Sequence, residues 1–526
     1  MTAMLTRRQF LSSTVAAVSA TAQNPAEVKA SRPNILFIIA DDQSWPHASA
    51  YGSKLVDTPA FDRIAKQGAL FRNSFCCAPS CTPSRSAILT GRNIWELEEA
   101  GLLYGSLPMK FPLFPHLLED AGYYVGHTGK TWAPGDWKAL GQTRHPVGKA
   151  FMTHKHQQPI RAGLDPNDYS ANFLEFLETG PKDRPFFFWL GSTEPHRVYQ
   201  KGAGNLIGKT TTNMEVPPYW PDNEEIRSDI LDYASEVEWH DQQVGKALAI
   251  LEKSGQLDST LIIITSDNGM PFPRGKATLY DQGTHMPLAI RWPKFFPGGQ
   301  QITDFVSHKD FAPTILEAAG VPIPSQMAGR SLLPLLTSLK SDPKRDHVIT
   351  AFERHVMARP DGATYPMRAI RTKDFLYIRN FTPDRWPMGG DFISSNLTAE
   401  GDVDGSPSKD FLLDPKNKKE YPLQHKLSFG KRPAQELYDL RKDRWQMTNI
   451  AAEKAYAKDL AKLAKKLEAY LKERGDPRIA GPKNEGRDPW QNYPYRQING
   501  YGASFNSTLS EQERMKAKSL GALKPE

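Results

Sequence analysis

The sequence predicts an α/β fold, with a large, mostly parallel, doubly wound sheet flanked by helices and a smaller α+β subdomain on its C-terminal side. Two observations predict it. Continuous apolar runs rich in β-branched and aromatic residues alternate along the chain with helical patterns, which is typical of strands buried on both faces. Each run also ends in ionisable residues, at the sheet edge where such folds bind their ligands.

The strand candidates are five apolar runs, at residues 34–40, 123–126, 185–190, 261–265 and 347–351. The polar residues that follow them are Asp41, Asp42, His127, Lys130, Glu194, His196, Arg197, Asp267, Asn268, Glu353 and His355. Because the carboxyl ends of parallel strands meet at one edge of a sheet, we expect these residues to converge on one cleft.

Helices are predicted between the strands and near the C-terminal end. Thr58 and Pro59 form a helix start, and Gly68 ends that helix. Two further helices are predicted by apolar residues on one helical face, Val237, Val244, Leu248 and Leu251 in the first and Leu460, Leu463, Leu467 and Leu471 in the second. Between about residues 380 and 435, Pro, Gly, Asp and Lys without clean periodicity predict long loops or short antiparallel strands.

Composition excludes several classes of protein. The chain has 526 residues, of which 39% are hydrophobic and 24% charged, which is ordinary for a globular protein and unlike a disordered chain, a coiled coil or a multi-span membrane protein. The net charge of +7 comes from scattered Lys and Arg, which slightly favours an anionic substrate and argues against nucleic acid. The three cysteines, Cys76, Cys77 and Cys81, form no disulfide framework or zinc ribbon.

Residues 1–22 are predicted to be an export signal. Arg7 and Arg8 belong to a twin-arginine pattern, which a short apolar run and an A-x-A cleavage site follow. The run is shorter than the ~20 residues that span a bilayer, so we expect export by the Tat machinery to the periplasm without stable membrane insertion. The remaining chain is divided into an α/β domain at 32–366, a subdomain at 367–480 and an unassigned tail at 481–526.

Two strand ends supply the ligands of a candidate metal site. Asp41 and Asp42 follow one strand, and Asp267 and Asn268 follow another. Hard oxygen ligands without His or Cys suit Ca²⁺ or Mg²⁺ better than zinc. The alternative is that these residues only cap turns and helices.

Cys81 is predicted to lie just outside a helix that opens at Pro83 and closes at Gly91. A helix N-terminus carries partial positive charge and free N–H groups, so it is a natural place for an oxyanion. Arg85 lies one turn further on, near the same line of the helix. The alternative for Cys81 is a buried structural cysteine.

The sequence from Cys81 to Arg92, with CTPSR followed by A-x-L-T-G-R, resembles the signature of the type I sulfatases of the alkaline phosphatase-like superfamily. Asp41-Asp42, Gly129-Lys130, Pro195-His196 and Asp267-Asn268-Gly269 occur in that family's order, and the resemblance runs from about residue 32 to 451. It implies the alkaline phosphatase-like fold and a sulfuric ester or sulfamate hydrolase acting on a sulfated saccharide.

The resemblance also implies a chemistry. A formylglycine-generating or sulfatase-maturating enzyme would oxidise Cys81 to formylglycine, whose hydrate attacks sulfur. One Ca²⁺ would be held by residue 81 together with Asp41, Asp42, Asp267 and Asn268. Stabilisation of the sulfate oxygens is implied for Arg85, Lys130 and Lys276, and protonation of the leaving group for His196.

One position departs from the family pattern. The family usually reads G-K-x-H, whereas this chain has Trp132 two residues after Lys130. His127 could substitute for the missing histidine, or it could have a purely structural role.

Within the family, residues 184–197, 265–280 and 365–368 resemble the sulfamidases, or N-sulfoglucosamine sulfohydrolases. This implies an exo-acting pocket for the N-sulfated glucosamine of heparan sulfate or heparin, with Glu194, Arg197, Glu353, His355 and His127 as candidate substrate contacts. An O-sulfatase acting on another algal or host glycan is the main alternative. A phosphonate or phosphate monoester hydrolase and a non-catalytic glycan-binding protein are the others.

Overall fold

The computed structural model describes residues 32–157, 161–212, 214–390 and 400–479, together with Trp490 and Tyr493. The predicted export signal at 1–22 lies outside the described residues, as does the tail at 481–526 apart from those two aromatic residues.

The larger sheet has nine strands in the order β4-β3-β5-β1-β6-β8-β2-β7, with β9 beside β2. Pairing is parallel except where β8 meets β6 and β2 and where β7 meets β2. The strands are β1 (Asn34–Ala40), β2 (Ala69–Phe75), β3 (Tyr124–Gly129), β4 (Lys149–Ala150), β5 (Phe186–Gly191), β6 (Thr260–Ser266), β7 (His285–Met286), β8 (Leu288–Arg291) and β9 (Gln300–Ser307). The predicted mostly parallel sheet is confirmed.

Helices cover both faces of this sheet. They are α1 (Pro59–Gln67), α2 (Cys81–Thr90), α3 (Phe114–Asp120), α4 (Tyr169–Thr179), α5 (Ala203–Leu206), α6 (Glu224–Lys253), α7 (Asp281–Thr284), α8 (Phe311–Ala318) and α9 (Leu333–Ser338). In β1, Phe37 faces a core shared with α2, α3, α8 and α9, whereas its neighbour Ile38 faces a core shared with α1, α4 and α6. Alternate residues of one strand thus enter two cores, which explains its unbroken apolar sequence.

A second sheet is antiparallel, with the order β10-β11-β12-β13. Its strands are β10 (His347–Phe352), β11 (Met367–Thr372), β12 (Phe375–Asn380) and β13 (Gln435–Asp439). The helix α13 (Ala457–Glu473) packs on this sheet through Leu463, Leu467 and Leu471, which confirms the predicted apolar stripe.

The second sheet corrects one strand assignment. Residues 347–351 do form a strand, but it pairs with β11 and not with the larger sheet. A short apolar run fits either environment, so the pattern alone could not distinguish them. Residue 367, where we placed the subdomain boundary, is the first residue of β11 and so lies inside this sheet.

The segment between β12 and β13 is also corrected. Its described residues 381–390 and 400–406 contain no helix or strand, as the predicted loops require, whereas the part that follows forms the helices α10 (Pro407–Leu413), α11 (Pro415–Glu420) and α12 (Pro422–Phe429). Each helix begins with proline, whose fixed φ suits the first helical position and whose missing N–H costs nothing there. Within the described residues, no helix is long and apolar enough to cross a membrane.

Candidate active site

The acidic residues at the ends of β1 and β6 meet because these strands are adjacent and in register. Ala40 pairs with Ser266, so the residues that follow the two strands lie side by side. Carboxylate oxygens of Asp41, Asp42 and Asp267 lie within 4.8 Å of one another, and all three side chains are buried. The predicted convergence is therefore found for these residues.

The backbone at Asp42 explains how two consecutive aspartates point to the same place. Side chains of successive strand residues point to opposite faces. Asp42 has a φ of 72°, in the left-handed region that non-glycine residues seldom occupy, so the alternation ends there. Asp267 holds this turn, because its Oδ1 accepts the backbone N–H of Asp42 at 3.0 Å. Unusual backbone of this kind is concentrated at functional sites.

Cys81 lies at the first position of α2, with Ser80 as the N-cap residue. The helix therefore begins two residues before Pro83, and the thiol belongs to its first turn. The Cys81 Sγ lies 3.6 Å from Asp41 Oδ1 and 3.9 Å from Asp42 Oδ1. Burial raises the pKa of the thiol well above its ordinary value. The structure thus places residue 81 directly against the carboxylate cluster.

Each carboxylate is paired with one of the predicted cationic residues. Lys130 Nζ donates to Asp41 at 2.5 Å, Lys276 Nζ donates to Asp42 at 2.7 Å, and Arg85 Nε donates to Asp267 at 2.7 Å. All three cations are almost completely buried. Burial opposes the charge of Lys130, but Asp41 outweighs this effect and raises the pKa of the ammonium group, so it stays protonated.

The donor set fits a hard divalent cation. Asp41, Asp42 and Asp267 supply carboxylate oxygens, and the fourth predicted ligand, Asn268, lies among them. Its Nδ2 donates to Asp42 Oδ1 at 2.6 Å, whereas its buried Oδ1 has no hydrogen-bond partner. A buried carbonyl oxygen without a donor is costly, and a cation at this point would satisfy it.

Two of the predicted histidines border the same cluster. His196 Nε2 lies 3.7 Å from Asp42 Oδ2, and its Nδ1–H donates to the Arg197 carbonyl at 2.6 Å. Burial and the nearby Lys276 lower the pKa of His196 to about 4, so the ring is neutral at pH 7 with Nε2 facing the carboxylates. His355 Nδ1 lies 2.9 Å from the hydroxyl of Ser80, beside residue 81.

Asp404 is the site residue that the sequence reasoning missed. Its carboxylate lies 3.3 Å from Lys276 Nζ and 3.9 Å from His355 Nε2. Potential metal-ligand atoms of Asp404, His196 and Asp42 lie within 4.8 Å of one another. Lys276 and the histidines outweigh burial and hold the pKa of Asp404 below its usual range. The Asp-Val-Asp-Gly stretch that contains it was the available signal, but it lies in the segment interpreted as loop.

Glu194 and Arg197 follow β5 as predicted, but their side chains are engaged inside the protein. The Glu194 carboxylate accepts from the backbone N–H of Asp165 at 2.8 Å and from the Tyr169 hydroxyl at 3.0 Å. Arg197 makes two hydrogen bonds to Asp229 of α6, at 2.7 and 2.8 Å. The structure therefore does not bring these two charges to the cluster.

Glu353 and His127 are also placed apart from the cluster. Glu353 is buried between Arg368 and Arg478, at 2.6 and 2.5 Å. His127 lies within β3, and its ring stacks on His145 with centroids 4.3 Å apart. Burial and His145 lower the pKa of His127 to about 3. These contacts are internal, so His127 does not substitute for the histidine that Trp132 replaces.

The contacts of Trp132 indicate a structural role. The side chain is buried, and its Nε1–H donates to the Ser86 hydroxyl of α2 at 2.7 Å. An indole donates only and cannot accept a proton. His196 and His355 are therefore the predicted histidines that the structure places at the cluster.

Comparisons with known proteins identify the family of this chain. The sequence profile of the sulfatase family matches residues 33–321, and the profile described as N-sulphoglucosamine sulphohydrolase, C-terminal, matches residues 274–389. Human N-sulphoglucosamine sulphohydrolase is 29% identical over 494 residues, covering 85% of this chain and 92% of that protein. An ulvan-active sulfatase of Formosa agariphila is 27% identical, covering 89% and 87%.

Solved structures show the same fold. A structure in complex with its substrate D-glucosamine-2-N,6-O-disulfate has a TM-score of 0.64 at 22% identity, covering 86% of this chain and all of that one. The phosphonate monoester hydrolase of Agrobacterium radiobacter has a TM-score of 0.60 at 20% identity, covering 85% and 97%. Since the family profile matches more than half of the sequence, the chain belongs to the sulfatase family and is a sulfate ester or sulfamate hydrolase.

Proposed function

We propose that this enzyme is an exo-acting sulfamidase that removes the N-linked sulfate of a terminal glucosamine, as in heparan sulfate or heparin. The observation that carries the proposal is the match of residues 274–389 to the C-terminal profile of N-sulphoglucosamine sulphohydrolase. That region contains Lys276 and His355, which border the carboxylate cluster. The relative of that name matches over 92% of its own length.

A second candidate is an O-sulfatase acting on another sulfated glycan. Relatives with O-sulfatase names support it, among them an N-acetylglucosamine-6-O-sulfatase of Bacteroides thetaiotaomicron, which is 26% identical and covers 70% of this chain and 82% of its own. The cluster of charges around residue 81 serves either reaction, because both transfer the same sulfuryl group.

Two groups complete the proposed mechanism, formylglycine at position 81 and one Ca²⁺ held by Asp41, Asp42, Asp267 and Asn268. When present, they supply a hydroxyl nucleophile of lowered pKa and polarise the sulfate. The position of Cys81 at a helix N-terminus, 3.6 Å from Asp41, supports this assignment. Maturation requires a formylglycine-generating or sulfatase-maturating enzyme as partner.

The chain's own residues then have separate tasks. Lys130, Lys276 and Arg85 present N–H donors where negative charge develops on the sulfate oxygens, and in a buried site such donors act strongly. His196 Nε2 donates a proton to the leaving nitrogen or oxygen. The negative charge of a bound sulfate raises the pKa of a neighbouring imidazole, which is the condition for this transfer. His355, beside Ser80, receives the proton that the nucleophile gives up.

The test compares sulfate release from N-sulfated glucosamine with release from its 6-O-sulfated, N-acetylated counterpart. The enzyme is co-expressed with the maturation enzyme, and the mass of the peptide containing residue 81 is measured first. We expect release from the N-sulfated sugar only. Release from the O-sulfated sugar alone would replace the proposal with the second candidate.

Cys81→Ala tests the nucleophile. We expect turnover to fall by more than about 10³-fold while the circular dichroism spectrum is unchanged, since removal of a covalent catalyst leaves only binding and electrostatic contributions. Cys77→Ala is the matched control, because this buried thiol lies outside the cluster and contacts the Ser307 hydroxyl. Full activity of Cys81→Ala would contradict the mechanism.

We further propose that residues 1–22 direct export through the Tat machinery to the periplasm. Substitution of both Arg7 and Arg8 by Lys should leave the enzyme in the cytoplasmic fraction. Unchanged fractionation would contradict this route.

A further inference from the structure

A groove of about 1080 Å³ lies beside the active site, and we call it the side groove. Its walls come from residues 45–55 after β1, residues 209–212 and 214–220, residues 270–282, and residues 371–373 and 440–446 near the second sheet. It is larger than typical small-molecule sites of ~300–1,000 Å³. The cluster residues around Cys81 do not line it.

The side groove is strongly basic. Seven lysine or arginine side chains line it, of which Lys209 is paired with Glu238 at 2.6 Å, and the lining carboxylates are Glu215 and Asp281. Both carboxylates are already neutralised, Glu215 by Arg444 and Asp281 by Arg371 at 2.8 Å. Arg274 also lines the groove, and its guanidinium donates to backbone carbonyls, so its charge is not neutralised by a carboxylate. The groove therefore carries a net positive charge that an anionic ligand would offset.

Hydrogen-bond donors without acceptors lie on the same walls. Trp45 Nε1, Arg274 Nε and Gln446 Nε2 are buried N–H donors with no partner among the described residues. A buried donor without an acceptor costs about 1–3 kcal/mol, so such groups are seldom left unpaired. Because these three nitrogen atoms are themselves buried, an acceptor reaches them only if the wall side chains move, so the choice of ligand rests on the charge of the groove.

Aromatic rings complete the lining. Six aromatic side chains lie on the walls, namely Trp45, Tyr51, Tyr219, Trp220, Tyr280 and Trp445. Tyr219, Trp220 and Tyr280 are almost completely buried, so the rings that can meet the C–H face of a sugar are the partly exposed ones of Trp45, Tyr51 and Trp445. Basic side chains beside partly exposed aromatic rings match a sulfated saccharide, which combines apolar ring faces with anionic oxygens.

The loop 270–280 separates the side groove from the active site. Lys276 on this loop reaches Asp42 of the carboxylate cluster, whereas Arg274, two residues earlier, reaches Gln446 in the groove wall. Arg274 and Ala277 both have positive φ, 66° and 63°, so the backbone turns sharply between the two sides. The loop is thus a wall common to both sites.

We propose that the side groove is an accessory binding site for a second segment of a sulfated saccharide chain, separate from the site of sulfate removal. The proposal rests on the proposed function only for the choice of ligand. Single-stranded nucleic acid is the other polyanion that basic and aromatic surfaces bind, and the test includes it.

The test uses the full chain carrying Cys81→Ala, so that binding is measured without turnover. A heparin-derived hexasaccharide, its desulfated counterpart and a single-stranded DNA oligonucleotide are titrated by calorimetry. The groove variant carries Lys54→Glu and Lys373→Glu, two exposed lysines on its rim. The control variant carries Lys340→Glu and Lys344→Glu, which change the net charge equally at exposed positions outside the groove.

We expect the groove variant to bind the sulfated hexasaccharide about tenfold more weakly and the control variant to change affinity less than twofold. The desulfated hexasaccharide should bind at least tenfold more weakly than the sulfated one. The proposal would be overturned if both variants changed affinity for the sulfated hexasaccharide equally, or if the DNA oligonucleotide bound as tightly as the hexasaccharide. Sulfate release from a monosaccharide by the unmodified enzyme is measured separately. Failure of the proposed function can therefore be distinguished from failure of the accessory-site proposal.

Discussion

Arg197 allows a sharp test of the structure. The sequence predicts a substrate contact for this residue, whereas the structure places it in an internal ion pair. Its guanidinium binds the Asp229 carboxylate through two hydrogen bonds of 2.7 and 2.8 Å. The two side chains are 6% and 2% exposed. The guanidinium also lies over the rings of Tyr199 and Phe272, at 4.5 and 4.3 Å from their centroids.

These contacts set the size of the effect of Arg197→Met. Removing one member of a buried ion pair leaves the other charge unpaired and costs about 3–5 kcal/mol. The lost cation–π contacts with Tyr199 and Phe272 add about 1 kcal/mol each at a partly desolvated site. The Ser408 hydroxyl still donates to Asp229 at 2.5 Å and offsets part of the loss. We therefore expect the free energy of unfolding to fall by about 4 kcal/mol.

The assay is urea denaturation followed by circular dichroism, combined with KM for a sulfated sugar. Asp229→Leu alone should also destabilise the chain. The double variant Arg197→Met, Asp229→Leu should be more stable than either single variant, because it leaves no buried charge unpaired. A change in stability below about 1 kcal/mol, together with a large increase in KM, would refute the internal role and return Arg197 to the substrate.

Three further predictions concern the acidic residues. Burial raises the pKa of Glu194 from 4.5 to about 7, so the folded chain holds a proton that the unfolded chain releases, and the free energy of unfolding should fall by up to about 3 kcal/mol as pH rises from 4.5 to 7. Glu194→Gln should lack this decline, and identical urea-denaturation profiles for the two chains between pH 4.5 and 8 would contradict the assignment. Asp404→Asn should lower kcat/KM about tenfold, because Lys276 loses a carboxylate at 3.3 Å, and unchanged steady-state kinetics would remove Asp404 from the site. Exhaustive chelation should abolish sulfate release and Ca²⁺ should restore it, whereas activity with metal shown absent by mass spectrometry would make the cluster of Asp41, Asp42 and Asp267 structural.

The larger sheet and the centre of the site could be predicted because local sequence determines them. β1 and β6 are apolar on both faces, and the acidic residues follow directly where each strand ends. Parallel neighbours in register then bring Asp41 beside Asp267 without any long-range information beyond strand order. The same reasoning placed Lys130 correctly, because β3 ends one residue before it.

Other positions could not be predicted, because they depend on which partner a charge meets. Glu194, Arg197 and Glu353 follow strand ends as the cluster residues do, yet each meets a buried partner from a distant segment, such as Asp229 of α6 for Arg197. Asp404 shows the converse, since it reaches the cluster from a segment without periodicity. Sequence proximity to a strand end indicates where a backbone goes, but not where a side chain points.

Because β1 is buried on both faces, the number of its residues is constrained more strictly than the identity of its apolar residues. Its alternate residues enter two cores, and the same residue count sets where Asp41 emerges beside Asp267. Exchanging one apolar residue for another of similar volume leaves both relations intact. Inserting or deleting one residue would exchange the side chains of the two cores and displace the carboxylates of the cluster in the same event. The number of residues between the start of β1 and Asp41 is therefore expected to stay fixed, even where the apolar residues of the strand change.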